Sequence, residues 1–206
     1  MFNLDDMRTA RTLALALLTA SVNFLHAQFA IPDAAFASRL SFLVPSAMSG
    51  NVLNISDPAV LGLAYMNVAG AGINDLDGIQ YFTGLQTLIC NDNYLTNMPS
   101  LPDAIMELQC QGNDLVSFTD LPNSLVTFQC QNNQLASLPA LPPNLDWLVC
   151  YQNQLTSLPA LPASLTQLAC GQNPLTALPA LPASLQVLLC SNGALTGSLP
   201  ALPSSL

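Results

Sequence analysis

Apolar and polar positions along most of the chain follow a pattern that repeats every 20 residues. In a unit such as 125–135, the first, fourth, sixth and eleventh positions are apolar, whereas the third, fifth and seventh vary. This alternation predicts a short strand with one buried face. Since one unit cannot bury its apolar side alone, we expect the strands to stack in a parallel sheet. Six units begin at 85, 105, 125, 145, 165 and 185, after a 22-residue unit at 63–84.

The segments that connect these strands contain the sequence Leu-Pro-x-Leu-Pro, as at 138–142 and 158–162. Two prolines three residues apart forbid a regular helix and favour an extended, polyproline-type conformation. The pattern therefore predicts stacked turns that each pair a short strand with a mostly extended return segment.

The segment 28–62 precedes the units and has helical signals instead. Pro32 and Asp33 are typical of a helix start, and a face of Phe36, Leu40 and Leu43 follows. A second short helix is expected to begin near Asp57. Because the first turn of a solenoid needs a cover, we predict that 28–62 forms a small helical N-terminal cap.

Two residue types recur in register at inward or turn positions. The sixth position holds Cys90, Cys110, Cys130, Cys150, Cys170 and Cys190, and the ninth holds Asn93, Asn113, Asn133, Asn153 and Asn173. Asn can satisfy backbone groups that a turn leaves unpaired. In-register strands keep Cβ atoms farther apart than the ~3.8 Å that a disulfide prefers. We therefore favour buried free thiols over disulfides or a metal site.

The frame LxxLxCxxNxL followed by LPxLP resembles the leucine-rich repeats, and the resemblance covers 63–206. The 20-residue LPxLP form is similar to the short bacterial subtype of type III secreted effectors. The cysteine column, the 22-residue first unit and the opening at 31–36 resemble secreted surface proteins of Bacteroidota-type bacteria. This resemblance implies an α/β fold, a right-handed leucine-rich repeat solenoid with a parallel sheet on its concave side and a mostly extended convex side.

The first 27 residues have the order of a secretory signal peptide. Arg8 and Arg11 precede a mostly apolar stretch at 12–22, and Ala27 supplies a small residue for cleavage. We expect a secreted or cell-surface protein that starts at Gln28, with Met1 or Met7 as initiator. A packed N-terminal helix is the alternative.

Charged residues make up 7% of the chain, and the formal net charge is −9. Binding to nucleic acid is excluded, because it needs clustered Lys and Arg. No transmembrane segment is expected, since the longest apolar stretch, 13–20, is far shorter than the ~20 residues needed to span a bilayer. After cleavage at Ala27, Arg39 is the only cation and no His remains.

This inventory excludes Ser-His and Cys-His nucleophiles, Schiff bases and histidine zinc sites, so we expect no enzyme activity, no cofactor and no metal. Carboxylate chemistry is the remaining acid/base option. The tightest acid pair, Asp75 and Asp77, loosely resembles the start of a calcium loop, but it lacks the rest of that spacing. We interpret this pair as a solvated turn.

Function is therefore expected at the variable positions of the concave face. Trp147, Val149 and Tyr151 alternate along one strand and are predicted to point outward together, beside Glu107 and Asp146. Rigid aromatic rings flanked by amides suit both protein and sugar ligands. The candidate site consists of Trp147 and Tyr151 as anchors, with Val149, Glu107, Asp146, Gln129, Gln131 and Gln167 around them. The alternative is that Trp147 packs over the sheet rim.

These observations favour a non-catalytic secreted or cell-surface binding module for a protein or glycan. The alternatives are a structural or adhesive surface component, or a fragment of a larger effector with a separate catalytic domain. The sequence ends at Leu206 within the repeat pattern. We therefore expect either self-association through the last repeat or further repeats in the gene.

Overall fold

We describe a computed structural model of the 206-residue chain, which covers residues 27–191, 195–196 and 200–206. The predicted signal peptide, apart from Ala27, lies outside the described residues. Among those described, no helix is long and apolar enough to cross a bilayer.

The predicted solenoid is confirmed: strands recur along the chain and pair in parallel with their sequence neighbours. The register is shifted by 22 residues from the first strand to the second and by 20 at each later step, so that Phe128 lies between Leu108 and Leu148. The seven strands are β4 (Tyr65–Asn67), β5 (Thr87–Ile89), β6 (Glu107–Gln109), β7 (Thr127–Gln129), β8 (Trp147–Val149), β9 (Gln167–Ala169) and β10 (Val187–Leu189). The segments between β5 and β10 contain no helix within the described residues, as their prolines predict.

The N-terminal cap contains the two predicted helices, α1 (Ala34–Leu43) and α2 (Pro58–Leu61). It also contains an antiparallel sheet that the sequence reasoning missed. Its strands are β1 (Gln28–Ala30), β2 (Met48–Ser49) and β3 (Val52–Asn54), in the order β1-β3-β2. Strands of two or three residues are too short to display an alternating pattern, which is why the sequence did not predict them beside the helices.

Asp33 caps α1 and also joins the cap to the first repeat. Its Oδ1 accepts a hydrogen bond from the Phe36 N–H at 2.8 Å, and its Oδ2 accepts one from the Asn74 N–H at 2.8 Å. Burial alone raises the pKa of Asp33, but these hydrogen bonds outweigh it and hold the pKa below its ordinary value. The charged form of Asp33 therefore stabilises the fold.

The asparagine column forms a continuous ladder beneath the turns. Asn153 donates to the carbonyls of Cys130 and Cys150 at 3.0 and 3.1 Å, and its Oδ1 accepts from the Leu135 N–H at 3.0 Å. The same pattern recurs at Asn113 and Asn133. Each Asn thus links two successive turns, which confirms its predicted structural role.

The cysteine column runs through the interior beside this ladder. Cys90 to Cys170 are fully buried free thiols, and Cys190 is half-buried. Burial raises the pKa of Cys90 and of Cys170 to about 12. These thiols therefore stay protonated at neutral pH and pack as small apolar side chains.

Candidate functional site

Every second side chain of strands β5 to β10 and of the residues after them projects onto one surface, which we term the concave face. The intervening residues, such as Phe128 and Cys130, are buried. The pleat of the strands explains this division, because successive side chains point to opposite sides. The concave face consists of Thr87, Ile89, Asn91, Glu107, Gln109, Gln111, Thr127, Gln129, Gln131, Trp147, Val149, Tyr151, Gln167, Ala169, Gly171, Val187, Leu189 and Ser191.

The members of the concave face on β5 to β7 and the turns after them are mostly polar, and we term this region the polar half. Glu107 accepts a hydrogen bond from Gln109 Nε2 at 2.6 Å. The Oε1 atoms of Gln111 and Gln131 are buried, and neither has a hydrogen-bond partner among the described residues. These two oxygens are unpaired acceptors, and a ligand that brings hydrogen-bond donors suits them.

The members on β8 to β10 and the turns after them are mostly apolar, and we term this region the apolar half. Trp147 is 38% exposed, Val187 is 41% exposed and Leu189 is 62% exposed. Gln167 lies between Trp147 and Val187 in the sheet, and exposed apolar side chains on one face in this way are typical of an interaction surface. The concave face is thus divided into two chemically different parts.

The structure brings most of the predicted site residues onto the concave face. Trp147 is exposed at the start of β8, and Tyr151 is half-buried two residues after the end of that strand. Gln167 is exposed beside Trp147 on the next strand. Trp147 is therefore accessible. Gln129 and Gln131 are half-buried on the preceding turn.

Two expectations about this site need correction. Val149 is only 7% exposed, so it does not stand out with the aromatic residues. It lies between Gln129 and Ala169 on the flanking strands, and neighbours of this kind reduce exposure on a concave surface. Glu107 is not beside Trp147, because Thr127 lies between them in the sheet.

Asp146 lies just before Trp147, as its sequence position requires. Its Oδ1 accepts a hydrogen bond from the Thr166 hydroxyl at 2.6 Å, and the side chain is half-buried. Asp146 therefore links two successive turns at the edge of the sheet while keeping one carboxylate oxygen free of any hydrogen bond within the described residues.

Sequence reasoning missed a small depression in the apolar half, which we term the notch. It has a volume of about 180 Å³ and is lined by Tyr151, Ala169, Gly171, Gln172, Leu189 and Ser191. Ala169 and Gly171 are small where the preceding unit has Val149 and Tyr151, and this contrast creates the space. The signal was present in the sequence as two consecutive small residues at outward positions of one unit.

Two larger depressions lie among the connecting segments, away from the concave face. Their volumes are about 380 and 540 Å³, and Leu101 and Asp103 line both. Neither contains any of the predicted site residues. In the turn that loosely resembles the start of a calcium loop, Asp75 Oδ1 accepts a hydrogen bond from the Asp77 N–H at 2.8 Å, which is typical of a solvated turn. No group of three potential metal ligands occurs within the described residues.

No protein-family model matches the chain, and no curated protein matches it. Several solved structures, by contrast, are similar to this chain. YopM from Yersinia enterocolitica WA-314 is 41% identical over 60% of this chain and 28% of YopM, with a TM-score of 0.58. The leucine-rich repeat domain of a Shigella effector is 27% identical over 82% of this chain and 67% of that domain, with a TM-score of 0.63.

The functional domain of InlJ from Listeria monocytogenes, which includes a cysteine ladder, is 26% identical over 79% of this chain and 42% of that domain, with a TM-score of 0.57. The chain therefore spans less than half of the length of YopM and of the InlJ domain. These neighbours show that the chain has the leucine-rich repeat fold, as its repeats predict.

Proposed function

We propose that this chain is a non-catalytic binding module that engages a protein partner through its concave face. The observation that carries the proposal is the exposed Trp147, with the half-buried Tyr151 four residues after it, at the boundary between the polar and apolar halves. Aromatic anchors surrounded by polar contacts are typical of binding hot spots. The solenoid supplies a rigid support for them, since the ring-bearing strand pairs with neighbours on both sides.

The polar half supports a partner that is rich in N–H donors. Gln111 and Gln131 each have a buried side-chain oxygen without a hydrogen-bond partner among the described residues. Rotating these amides toward a ligand breaks no hydrogen bond to their oxygens. Backbone amides and cationic side chains of a protein can supply the missing donors.

We further propose that the module acts outside the cell or at the cell surface. The basic, apolar and small-residue order of residues 1–27 supports export. The cysteine column packs as buried, protonated thiols and needs no disulfide, so it is compatible with both reducing and oxidising environments. N-terminal sequencing of exported protein should begin at or near Gln28, and a product that retains residues 1–27 would contradict export.

The test of the binding proposal is a double variant, Trp147→Ala with Tyr151→Ala. The free energy of its binding to a captured partner should become less favourable by about 2 kcal/mol or more, while its melting temperature stays nearly unchanged. Tyr94→Ala is the matched control, since Tyr94 is 61% exposed but lies outside the concave face. Unchanged affinity of the double variant would show that binding occurs elsewhere.

Glycan binding is the second candidate function, because a sugar ring can stack on exposed Trp147 next to the amide of Gln167. A glycan array probed with the native chain and with the double variant distinguishes the two candidates. A third possibility is self-association through the repeats. Sedimentation of the native chain would reveal it as a mass that increases with concentration.

A further inference from the structure

The notch in the apolar half has the dimensions and the lining of a side-chain pocket. Its volume of about 180 Å³ is smaller than the ~300–1,000 Å³ of pockets that hold drug-sized ligands. Ala169 forms part of its lining, and Leu189, 62% exposed, forms one side. No charged residue lines it. A single apolar side chain fits this space better than a sugar chain or a cofactor does.

The charge of the repeats restricts what can carry that side chain. Residues 63–206 contain no Lys, Arg or His. Their charged residues are Asp75, Asp77, Asp92, Asp103, Glu107, Asp114, Asp120 and Asp146. An acidic partner would be repelled by this surface, whereas a basic one would be attracted to it.

Glu107 is the carboxylate on the concave face itself, and it lies three strands from Ala169. With strands about 4.8 Å apart and residues about 3.3 Å apart along them, the two positions are separated by about 15 Å. An extended peptide covers that distance in about four or five residues. One short segment can therefore contact both positions.

Resting on the proposed function, the geometry points to the ligand class: an extended basic protein segment that inserts an apolar side chain into the notch. A Lys or Arg about four or five residues away along this segment pairs with Glu107. The notch selects the apolar residue, and the acidic repeats select the sign of the charge. Sites of this kind gain specificity from a filled pocket and association rate from charge.

The test is a selection from a displayed random-peptide library on the full chain, followed by affinity measurement through the fluorescence of Trp147, the only Trp. Ala169→Ile fills the notch. The fold should accept this change, because Ile89 occupies the same repeat position in another unit. Ala160→Ile is the matched control, since Ala160 is exposed on a connecting segment. Thermal melting confirms that both variants are folded.

Selected peptides should contain an apolar residue with a Lys or Arg about four or five positions away. Ala169→Ile should weaken their binding at least about tenfold, whereas Ala160→Ile should leave it within about twofold. Glu107→Gln should weaken binding at low salt and have less effect at high salt. These results together would support the inference.

Acidic peptides, peptides without an apolar residue, or no selected peptides would overturn it. Unchanged affinity of Ala169→Ile, with binding lost in the Trp147 and Tyr151 double variant, would overturn the notch while the proposed function stands. If the double variant also binds normally, both proposals are wrong. Binding of carbohydrate but of no peptide would likewise overturn the inference.

Discussion

The inward and outward side chains of the same strands differ in how strictly they repeat. At the sixth position all six units have Cys, and Asn occupies the ninth position in five of them. At the third position, by contrast, Thr, Glu, Trp, Gln and Val all occur. Inward columns are constrained because each turn must pack and hydrogen-bond against the next in the same way. Outward columns lack this constraint, so their variation is where a ligand-specific surface can arise.

The largest effect on stability is expected from the asparagine ladder. Asn153→Ala leaves the buried N–H of Leu135 without its acceptor, and it removes one of the two asparagine donors from each carbonyl of Cys130 and Cys150. We expect a loss of about 3 kcal/mol in the free energy of unfolding, measured by denaturant titration. Gln154→Ala is the control, because Gln154 is the exposed next residue. Equal effects of the two changes would contradict the contrast between inward and outward positions.

The cysteine column should give the next largest effect. Cys130→Ser buries a hydroxyl in place of a thiol and should cost about 1–3 kcal/mol, whereas Cys130→Val should be milder. Thermal or denaturant unfolding measures both. A greater loss with Val than with Ser would show that the thiol has a polar role in the interior.

Thiol titration tests the same column without mutation. Burial raises the pKa of Cys90 to about 12, so its thiolate is scarce at pH 8 and alkylation of the native protein should be slow. Denatured protein should react with six equivalents without a reductant. Fewer equivalents would indicate disulfides, and rapid reaction of native protein would show that the column is accessible.

Much of the fold could be predicted because its determinants lie at fixed spacing within the sequence. The Asn and Cys columns, for example, follow directly from the 20-residue period. The burial of Val149 could not be predicted, since it depends on side chains 20 residues away on both flanking strands. The notch also forms between side chains about 20 residues apart, but its small residues, Ala169 and Gly171, can be recognised in the sequence.

The N-terminal cap differs from the repeats, since Asp33 occurs there once and belongs to no repeated column. Asp33→Ala should reduce the free energy of unfolding by about 1 kcal/mol at pH 7. The folded-state pKa of Asp33 lies below its ordinary value of 3.8, so this contribution is present above that value and is lost as the pH falls through the folded-state pKa. Chemical denaturation of the native chain and the variant between pH 7 and pH 2 should therefore converge.

Asp33→Asn is the control for the charge. Asn is also a favourable N-cap, so this variant should retain most of the stability at pH 7. It cannot show the pH dependence that ionisation of Asp33 causes. A difference between the native chain and Asp33→Ala that is constant with pH would exclude an ionic contribution.

The smallest effect is expected one residue before Cys130. Gln129 is half-buried on the concave face, and its side chain makes no hydrogen bond with the described residues. Substitutions of this kind usually change the free energy of unfolding by less than about 0.5 kcal/mol. Gln129→Ala should therefore leave denaturant unfolding almost unchanged, although Cys130→Ser on the same turn does not.

This adjacent pair provides the strictest test of the difference between the two sets of columns. Gln129 is the last residue of β7 and Cys130 follows it directly, so a difference in secondary structure cannot explain different outcomes. Only the direction of the side chain differs, inward for Cys130 and outward for Gln129. If Gln129→Ala destabilised the protein as much as Cys130→Ser, the outward column would belong to the scaffold. The variation at outward positions would then reflect packing requirements, and the argument for a ligand-specific concave face would lose its basis.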